Sequence, residues 1–461
     1  MTDDWNQVIS QLKCLLASQV PRGTPQSRRL SRTPFSADAT VQTSALAHES
    51  ATPNALRVVH RIRRHVGAVA DGTERGREVA GYSPGNYIRA HMPDRKSADD
   101  DPPALVLPHG AKGLSRVTVD HYNAELRSEE GFVGDRASKR AFQRILDEWR
   151  EKMRESGEDP FGETPSDEIS KKSLDKLLVE GDIEAAGTIH SAIEEFAQEF
   201  TSVIRRFLRL KEWKNVERIA VGGGLRQSRI GELAIGRTAV ALKASGCEIE
   251  LRPIRYPSDH AGLIGSIHLV PGWILSGHDS ILAVDIGGSN IRAGIVELHA
   301  DKKKDLSAAQ VSRLELWRHC DDNPKREDAV ERLVEFLEGL IKRAQKDGLV
   351  LAPFIGVGCP GMIREDGTIE RGGQNLPGNW ESKTFNLPQR LREAIPRIGD
   401  HDTVVLMHND AVVQGLSELP WMQDVERWGV MTIGTGLGNA HYTNRKETGR
   451  KETAPKERKK G

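Results

Sequence analysis

Apolar and polar positions divide the chain into a sparse first part and a denser second part. Residues 5–20 place their large apolar residues on one helical stripe, which Pro21 and Gly23 end. Residues 22–60 are rich in Ser, Thr, Ala, Arg and Pro and hold few large apolar residues; such a composition cannot form a packed core. The pattern of residues 61–105 is ambiguous. We therefore expect residues 1–103 to be a mostly disordered extension with a short amphipathic helix at its start.

The second part of the chain has the alternation of a globular α/β protein. Helical periodicity predicts helices over residues 138–153, 182–210, 230–244, 260–270 and 327–346. Apolar runs predict strands near residues 218–221, 249–254, 281–284, 291–296, 313–317, 353–357, 404–407 and 428–433. From residue 281 onward the predicted order is β-β-β-α-β, with a hairpin first and a parallel crossover after it. Residues 446–461 are rich in Lys, Arg and Glu and predict a solvated tail.

Composition and charge narrow the choice of function. The chain has 461 residues, enough for two or three domains. Its 66 basic and 66 acidic residues balance, so nothing in the charge indicates a nucleic-acid partner. The four cysteines lie far apart and form no C-x-x-C pair, so no cysteine zinc site is expected. No apolar run approaches the ~20 residues of a membrane helix. We expect a cytoplasmic protein without a membrane partner.

A glycine-containing turn at residues 285–290, with the sequence DIGGSN, is the most informative motif. It lies between two apolar runs, with Asp285 at the end of the first. A turn of this kind exposes backbone N–H groups and a hydroxyl to an anion, while the carboxylate can face a metal. An ordinary β-turn also favours Asp and Gly, so this motif alone leaves both interpretations open.

Four further motifs have both a functional and a plain interpretation. Residues 434–438 form a second glycine loop or a simple turn between strands. Residues 222–224 form an adenosine-side strand end, or a strand exit that needs positive φ. Asn409 and Asp410 follow an apolar strand, where Asp410 is either a catalytic carboxylate or a helix N-cap. Residues 375–378 are a turn by composition. Their joint presence in one architecture favours a nucleotide site.

These segments carry a resemblance to a known family. VDIGGSNIRAGIV, GVGCPGMIREDGTI, QNLPGNW, HNDAVVQGLSE and TIGTGLGNA resemble, in order and approximate spacing across residues 281–445, the motifs of the ROK family of sugar kinases and repressors. IAVGGGLRQSRIGELAI and DHAGLIGSIHL resemble that family's C-terminal motifs, in a stretch of about residues 182–275. The C-terminal part of the family thus precedes its N-terminal part here. A circular permutation is the simplest interpretation, and a fused second copy is the alternative.

The resemblance implies a fold and an activity. The fold would be the two-lobed ribonuclease-H-like fold of actin-like ATPases and sugar kinases, circularly permuted. The larger lobe would comprise residues 104–257 and 403–445, and the smaller lobe residues 258–402. The activity would be glucokinase-like: phosphorylation of a hexose, using ATP and Mg²⁺. The partner would be a small-molecule sugar, with no nucleic acid expected, and a homodimer is compatible with the family.

The resemblance also implies roles for individual residues. Asp410 would be the general base and Asp285 the Mg²⁺ contact. The phosphates would lie against two groups of residues in the glycine loops: Gly287, Gly288, Ser289 and Asn290, and Gly434, Thr435 and Gly436. The adenosine would approach Gly223 and Gly224. Sugar hydroxyls would be bound, together with Asp410, by two amide side chains: Asn375 and Asn409.

The chain also departs from the family pattern. A Glu-x-Gly-His sugar-binding element and a cysteine-rich zinc loop follow the second glycine loop in the family, and the sequence contains neither. We therefore expect no structural zinc, and residues 104–180 become candidates to fill that space. His109-Gly110 and residues 129–131 are compositional candidates there, with plain loops as the alternative. Two other classes stay open: a sugar or nucleotide sensor, including a transcriptional regulator with residues 113–116 faintly like a helix-turn-helix, and an interaction scaffold.

Overall fold

A computed structural model describes residues 108–129 and 131–445, and these residues form a mixed α/β structure, as expected. The extension expected over residues 1–103 and the tail expected over 446–461 lie outside the described residues. The strands are β1 (Val117–Tyr122), β2 (Arg127–Ser128), β3 (Gly131–Phe132), β4 (Arg218–Gly222), β5 (Glu250–Pro253), β6 (Ser280–Ile286), β7 (Ile291–Glu297), β8 (Gln310–Trp317), β9 (Leu351–Cys359), β10 (Arg397–Ile398), β11 (His401–Asp402), β12 (Val404–Asn409), β13 (Arg427–Ile433) and β14 (Leu437–Asn444). The α-helices are α1 (Lys139–Ser156), α2 (Lys171–Glu180), α3 (Ile183–Phe207), α4 (Arg229–Ala244), α5 (Ser258–Gly265), α6 (Gly272–Leu275), α7 (His319–Asp322), α8 (Arg326–Asp347), α9 (Leu387–Ala394) and α10 (Asp410–Leu416).

The larger strands form two five-stranded sheets with the same internal plan. The first sheet has the order β1-β14-β13-β4-β5, and the second has the order β12-β9-β6-β7-β8. Each contains an antiparallel hairpin, β13–β14 or β6–β7, with a third antiparallel strand beside it. On the other side of each hairpin lie two parallel strands, β4 and β5 or β9 and β12. Two units with the same strand directions therefore make up the described chain.

The two sheets differ in the order in which the chain fills them. In the second sheet the five positions are filled consecutively by β6, β7, β8, β9 and β12. In the first sheet the equivalent positions are filled by β13, β14, β1, β4 and β5, so the hairpin that begins the unit comes last in the chain. Strands β14 and β1, the last and the first of the described strands, are neighbours in this sheet, and Asn444 pairs with Val117. The Arg445 amide also donates to Arg116 O at 2.9 Å.

Three hydrophobic clusters arrange the sheets and helices in layers. The middle cluster contains residues of both sheets together with α5 and α10. The second joins the other face of the first sheet to α1, α3 and α4. The third joins the other face of the second sheet to α8 and α9. The two sheets therefore face each other across α5 and α10, and burial of these apolar faces is the main force that stabilises the arrangement.

Small residues let α5 lie very close to its neighbours. A Cβ atom placed on Gly265 would lie 1.7 Å from the carbonyl oxygen of Val413 in α10. A Cβ atom on Gly262 would lie 2.5 Å from the Asp285 carboxyl carbon. The backbone of α5 thus packs directly on α10 and on the end of β6, which fixes the position of Asp285.

The order predicted downstream of residue 280 is confirmed. The structure has β6, β7, β8, α8 and β9 in that order, with only the four-residue helix α7 inserted. Helix α8 ends at Gly348, which has a φ of 74° in the left-handed region, as its sequence signal indicates.

Several local expectations were incomplete or wrong. Strands β1 and β14 and helix α2 were not predicted, and residues 113–116 form a turn before β1 instead of part of a helix-turn-helix. Strand β12 pairs with β9, so the second sheet continues past residue 402, where we placed the end of the smaller lobe. The lobe boundaries themselves stay a prediction. Among the described residues, no helix is long and apolar enough to span a membrane.

Candidate functional site

The β6–β7 turn is held in one conformation by its neighbours. The Gly287 amide donates to Asn290 O at 2.8 Å, closing the turn. His319 Nε2 donates to Gly287 O at 2.9 Å. The Cys320 amide donates to Ser289 O at 3.3 Å. The start of α7 thus provides donors for two backbone carbonyls of this first glycine loop, residues 287–290.

The second glycine loop meets the first across the space between the sheets. Residues 434–436 connect β13 to β14, and the Gly434 amide donates to Gly436 O at 2.9 Å. Ser289 Oγ and Thr435 Oγ1 lie 3.2 Å apart. Two hairpin turns that are 146 residues apart in sequence therefore meet in a single surface that carries two hydroxyls. Glycine turns of this kind can bind phosphate.

Gly223, Gly224 and Asn375 lie beside these loops. Gly223 has a φ of 88°, and a Cβ atom there would lie 2.3 Å from the carbonyl oxygen of Ile433, directly before the second loop. On the other side, a Cβ atom on Gly288 would lie 3.0 Å from Asn375 Cβ. The glycines of the β4 end thus border the second loop, and the exposed Asn375 borders the first.

Asp285 and Asp410 lie next to each other at the carboxyl ends of parallel strands. A Cβ atom on Gly358 of β9 would lie 3.5 Å from Asp285 Oδ1 and 3.6 Å from Asp410 Cα. Asp285 is the second-last residue of the fully buried strand β6, and Asp410 follows β12 as the first residue of α10. Because β9 lies between β6 and β12, its glycine leaves room for both carboxyl-bearing residues.

The electrostatic environment raises the pKa of both carboxyls. Removal from water raises the pKa of Asp410 to about 7, and the negative charge of Asp285 adds to the rise; backbone N–H groups at the start of α10 oppose it. Burial likewise raises the pKa of Asp285, although the Arg292 guanidinium opposes that rise. A carboxyl with a pKa near 7 changes protonation readily at neutral pH, as a general base must.

Arg292 joins Asp285 to α5. Its Nη1 atom lies 3.2 Å from Asp285 Oδ2, and its Nε atom lies 2.8 Å from Asp259 Oδ1. Asp285 Oδ1 is buried and has no hydrogen-bond partner among the described residues. One carboxylate oxygen is therefore available as a ligand for a cation, which suits Mg²⁺ because that ion takes few protein ligands and completes its shell with water and phosphate. Within residues 108–129 and 131–445, no group of three or more His, Cys, Asp or Glu is arranged to hold a metal ion.

Asn409 uses its amide within the protein. Its Oδ1 atom accepts from the amides of Ala411 at 3.0 Å and Val412 at 3.3 Å, and its Nδ2 atom donates to Gly361 O at 3.0 Å. Asn409 is therefore the N-cap of α10, the role that the plain interpretation gave to Asp410. Through the same side chain, Asn409 also fixes the loop at Gly361 to the start of α10.

Asn123 is a candidate that sequence reasoning missed. It lies just after β1 with a φ of 52°, in the left-handed region. Its backbone N–H group donates to the backbone carbonyl of Asn439 at 2.8 Å. Its Nδ2 atom would lie 3.1 Å from a Cβ atom on Gly372, in the loop that leads to Asn375. Asparagine tolerates this conformation better than most residues, but nothing in the sequence indicates that the residue reaches the other sheet's loop.

The compositional candidates near the start of the described chain can be placed in the fold. His109 Nδ1 accepts from the Met407 amide at 3.1 Å, on the edge strand β12. Burial, aided by the charge of Arg392, lowers its pKa to about 4, so the ring is neutral at pH 7. Glu129 and Gly131 lie at the short hairpin between β2 and β3.

Comparisons with known proteins give partial matches. No family model matches the chain, and no curated protein matches it. Among solved structures, a candidate N-acetylmannosamine kinase from Listeria monocytogenes is 25% identical, with a TM-score of 0.26 over 36% of this chain and 47% of its own. The ROK hexokinase from Thermus thermophilus is 24% identical, with a TM-score of 0.25 over 35% and 45%. A candidate sugar kinase from Cytophaga hutchinsonii is 19% identical, with a TM-score of 0.26 over 36% and 48%. The chain thus spans about half the length of these structures, so its function has to be inferred from its own residues.

Proposed function

We propose that this protein is an ATP-dependent sugar kinase of the ROK type, which phosphorylates glucose or a related hexose with Asp410 as the general base. The observation that carries the proposal is the convergence of the two glycine loops at Ser289 and Thr435, 3.2 Å apart. The same region holds two adjacent carboxyl-bearing residues at strand ends. Phosphoryl transfer needs positioned phosphate-binding groups, charge neutralisation and a base for the acceptor hydroxyl, and this region offers candidates for each.

The strand order supports a circularly permuted form of the ribonuclease-H-like fold. Two units with the same strand directions are present, and only the first sheet is filled in a rotated order. If β13 and β14 preceded β1 in the chain, the strands of both units would follow the same order along the sequence. Residues 444–445 lie beside residues 116–117, so the break falls where a short β14–β1 hairpin would otherwise continue the chain. Proximity of this kind is what permits rearrangement of termini.

In this proposal the donor phosphates lie against the two glycine loops. The phosphate oxygens lie against residues 287–290 and 434–436. They are bound by the Ser289 and Thr435 hydroxyls and by backbone N–H groups of the loops other than those of Gly287 and Gly434, which close the turns. Gly223 and Gly224 leave room for the adenosine. Asp285 Oδ1 would be a protein ligand for Mg²⁺, which when bound would neutralise phosphate charge. Arg292 keeps the Asp285 carboxylate in place through Oδ2.

Asp410 acts on the acceptor. As a sugar hydroxyl oxygen attacks the γ-phosphorus, its O–H proton passes to the Asp410 carboxylate. The new O–P bond forms while the bond from the γ-phosphorus to the β–γ bridging oxygen breaks, and ADP leaves with that electron pair. The pKa of about 7 suits Asp410 for this role, since about half of the carboxyl is ionised at neutral pH.

The acceptor side is built from neutral amides in this proposal. Asn375 borders the first glycine loop, and Asn123 reaches Gly372 from the other sheet. Amides both donate to and accept from hydroxyls, which suits an uncharged sugar. Asn409 acts indirectly, through the position of α10 and Gly361. In this way residues near position 123 would take the place of the missing Glu-x-Gly-His element.

Release of ADP from Mg-ATP against a panel of hexoses and N-acetylhexosamines tests the proposal. Turnover that depends on one sugar and is lost in Asp410→Asn supports a kinase and gives its acceptor. The missing Glu-x-Gly-His element favours a second candidate, a sugar or nucleotide sensor. Retained ATP or sugar binding, with no turnover for any acceptor, would replace the first candidate with the second.

A further inference from the structure

None of the residues implied by the family resemblance to bind phosphate carries a positive charge. A nucleoside triphosphate carries close to four negative charges at neutral pH, and neutralising them is a central requirement of phosphoryl transfer. Arg292, the cation beside Asp285, is already paired with Asp285 and Asp259. Two lysines, however, lie at the border of the glycine end of β4 and the second glycine loop.

Lys171 is attached to the glycine end of β4. It is the first residue of α2, and its Nζ atom donates to Gly224 O at 2.6 Å. Helix α2 is itself fixed to this corner, because the Asp175 carboxylate accepts from the amides of Arg229 at 3.0 Å and Ile230 at 3.1 Å. The ammonium therefore lies beside the glycines expected to face the adenosine, on a helix anchored to the start of α4.

Lys139 is attached to the second glycine loop. It is the first residue of α1, and its amide donates to Gly434 O at 2.9 Å. The buried Ser138 caps that helix through its Oγ atom, which accepts from the Ala141 amide at 3.1 Å. The backbone of Lys139 is thus fixed to the loop, while its side chain is exposed.

The two attachments belong to one corner of the molecule. Gly223, next to Gly224, packs on Ile433, and Ile433 directly precedes Gly434. Burial lowers the pKa of Lys171, and the charge of Lys139 is the next cause, so the two ammonium groups repel each other. The nearby carboxylates of Asp259 and Asp175 oppose this, but Asp259 pairs with Arg292 and Asp175 binds backbone amides. An anion bound between the two ammonium groups would relieve their repulsion.

We propose that Lys139 and Lys171 are a lysine pair that binds the phosphate chain of the donor nucleotide between the glycine end of β4 and the second glycine loop. The inference rests on the proposed function, and it adds that the donor is recognised largely through its charge. Affinity should therefore increase with the number of phosphates, from adenosine through ADP to ATP, and each lysine should contribute to that increase.

Isothermal titration calorimetry of the full chain with adenosine, Mg-ADP and Mg-ATP tests the lysine pair. We expect Lys171→Met and Lys139→Met each to weaken ATP binding by about tenfold, since charge-assisted hydrogen bonds are among the stronger polar contacts. The loss should be smaller for ADP and absent for adenosine. The neighbouring exposed residues give matched controls, Lys172→Met and Arg140→Met, which should leave all three affinities unchanged. Lys171→Arg, which keeps the charge, should retain most of the ATP affinity.

The possible results separate the lysine pair from the proposed function. If the wild type binds ATP and a double variant with both Lys139→Met and Lys171→Met binds it equally well, the lysine-pair proposal is wrong while the kinase proposal stands. An equal loss for adenosine and ATP would show that Lys171 only supports the fold at Gly224, and would also overturn the pair. A wild type that binds neither nucleotide would remove the nucleotide site itself, and both proposals with it.

Discussion

Replacing Asp410 with asparagine should abolish sugar phosphorylation and, at the same time, stabilise the protein above pH 7. Asparagine has nearly the same shape, so the contacts of α10 are kept, but it cannot accept the proton of the acceptor hydroxyl. It also removes a carboxylate that the folded protein holds in an unfavourable environment. The two effects have opposite signs, so general damage to the fold cannot imitate their combination.

The size of the stability gain follows from the pKa of Asp410. That pKa rises from 3.8 to about 7 on folding, and each pKa unit corresponds to about 1.4 kcal/mol. The ionised carboxylate therefore destabilises the folded state by at most about 4 kcal/mol. Because Asp285 contributes to the rise and the site can relax, we expect a gain of about 2–4 kcal/mol for Asp410→Asn at pH 8.

The gain should depend on pH in a defined direction. Below pH about 4 the carboxyl is protonated in both the folded and the unfolded state, so it does not penalise folding and the two proteins should be equally stable. As pH rises toward 7, the unfolded state loses the proton first and the wild type loses stability relative to the variant. Above pH 7 the difference should become constant.

Urea unfolding of both proteins at several pH values between 4 and 8 measures this difference, with ADP release measured in parallel. Asp147→Asn, at an exposed position on α1, is the matched control and should change stability by less than about 0.5 kcal/mol at any pH. A variant that is inactive but no more stable than the wild type at pH 8 would refute the raised pKa. Unchanged turnover would remove Asp410 from the chemistry.

Three further predictions concern the phosphate surface, a buried arginine and the chain order. Gly288→Val should lower ATP affinity at least tenfold in calorimetry, because its side chain would fill the surface facing Asn375 Cβ, 3.0 Å from the new Cβ atom; an unchanged affinity would exclude the first loop from the nucleotide site. Arg150→Lys should cost about 2–4 kcal/mol in urea unfolding, because the side chain is 1% exposed and its guanidinium binds Asp159, Ser166 and Gly162. Arg154 pairs with the same Asp159, but its side chain is 49% exposed. Arg154→Lys should therefore lower the free energy of unfolding by less than about 1 kcal/mol. A rearranged chain that starts at Ser280, ends at Ser276 and joins residue 445 to residue 108 through a short Gly/Ser linker should give the same far-ultraviolet circular dichroism and a cooperative melt; insoluble protein beside a soluble parent would count against the permutation.

Local sequence signals were sufficient for the elements whose cause is local. The glycine turn at residues 287–288, the amphipathic face of α8 and its end at Gly348 depend on backbone freedom and on periodicity within a few residues. The same signals could not predict β1 or β14. These strands contain polar residues and pair with each other across more than 300 residues, in the register that joins Val117 to Asn444.

The arrangement of the candidate site shows the same division. Sequence alone determined that Asp285, Asp410 and both glycine loops are present, because each motif has a recognisable local form. Only the tertiary structure decided that Ser289 meets Thr435, that Asn409 caps α10, and that Lys171 binds Gly224 O. It also decided the pKa of Asp410, since that value depends on burial and on the charge of a residue 125 positions away. Such properties arise from distances between groups that are remote in sequence, and no local pattern encodes them.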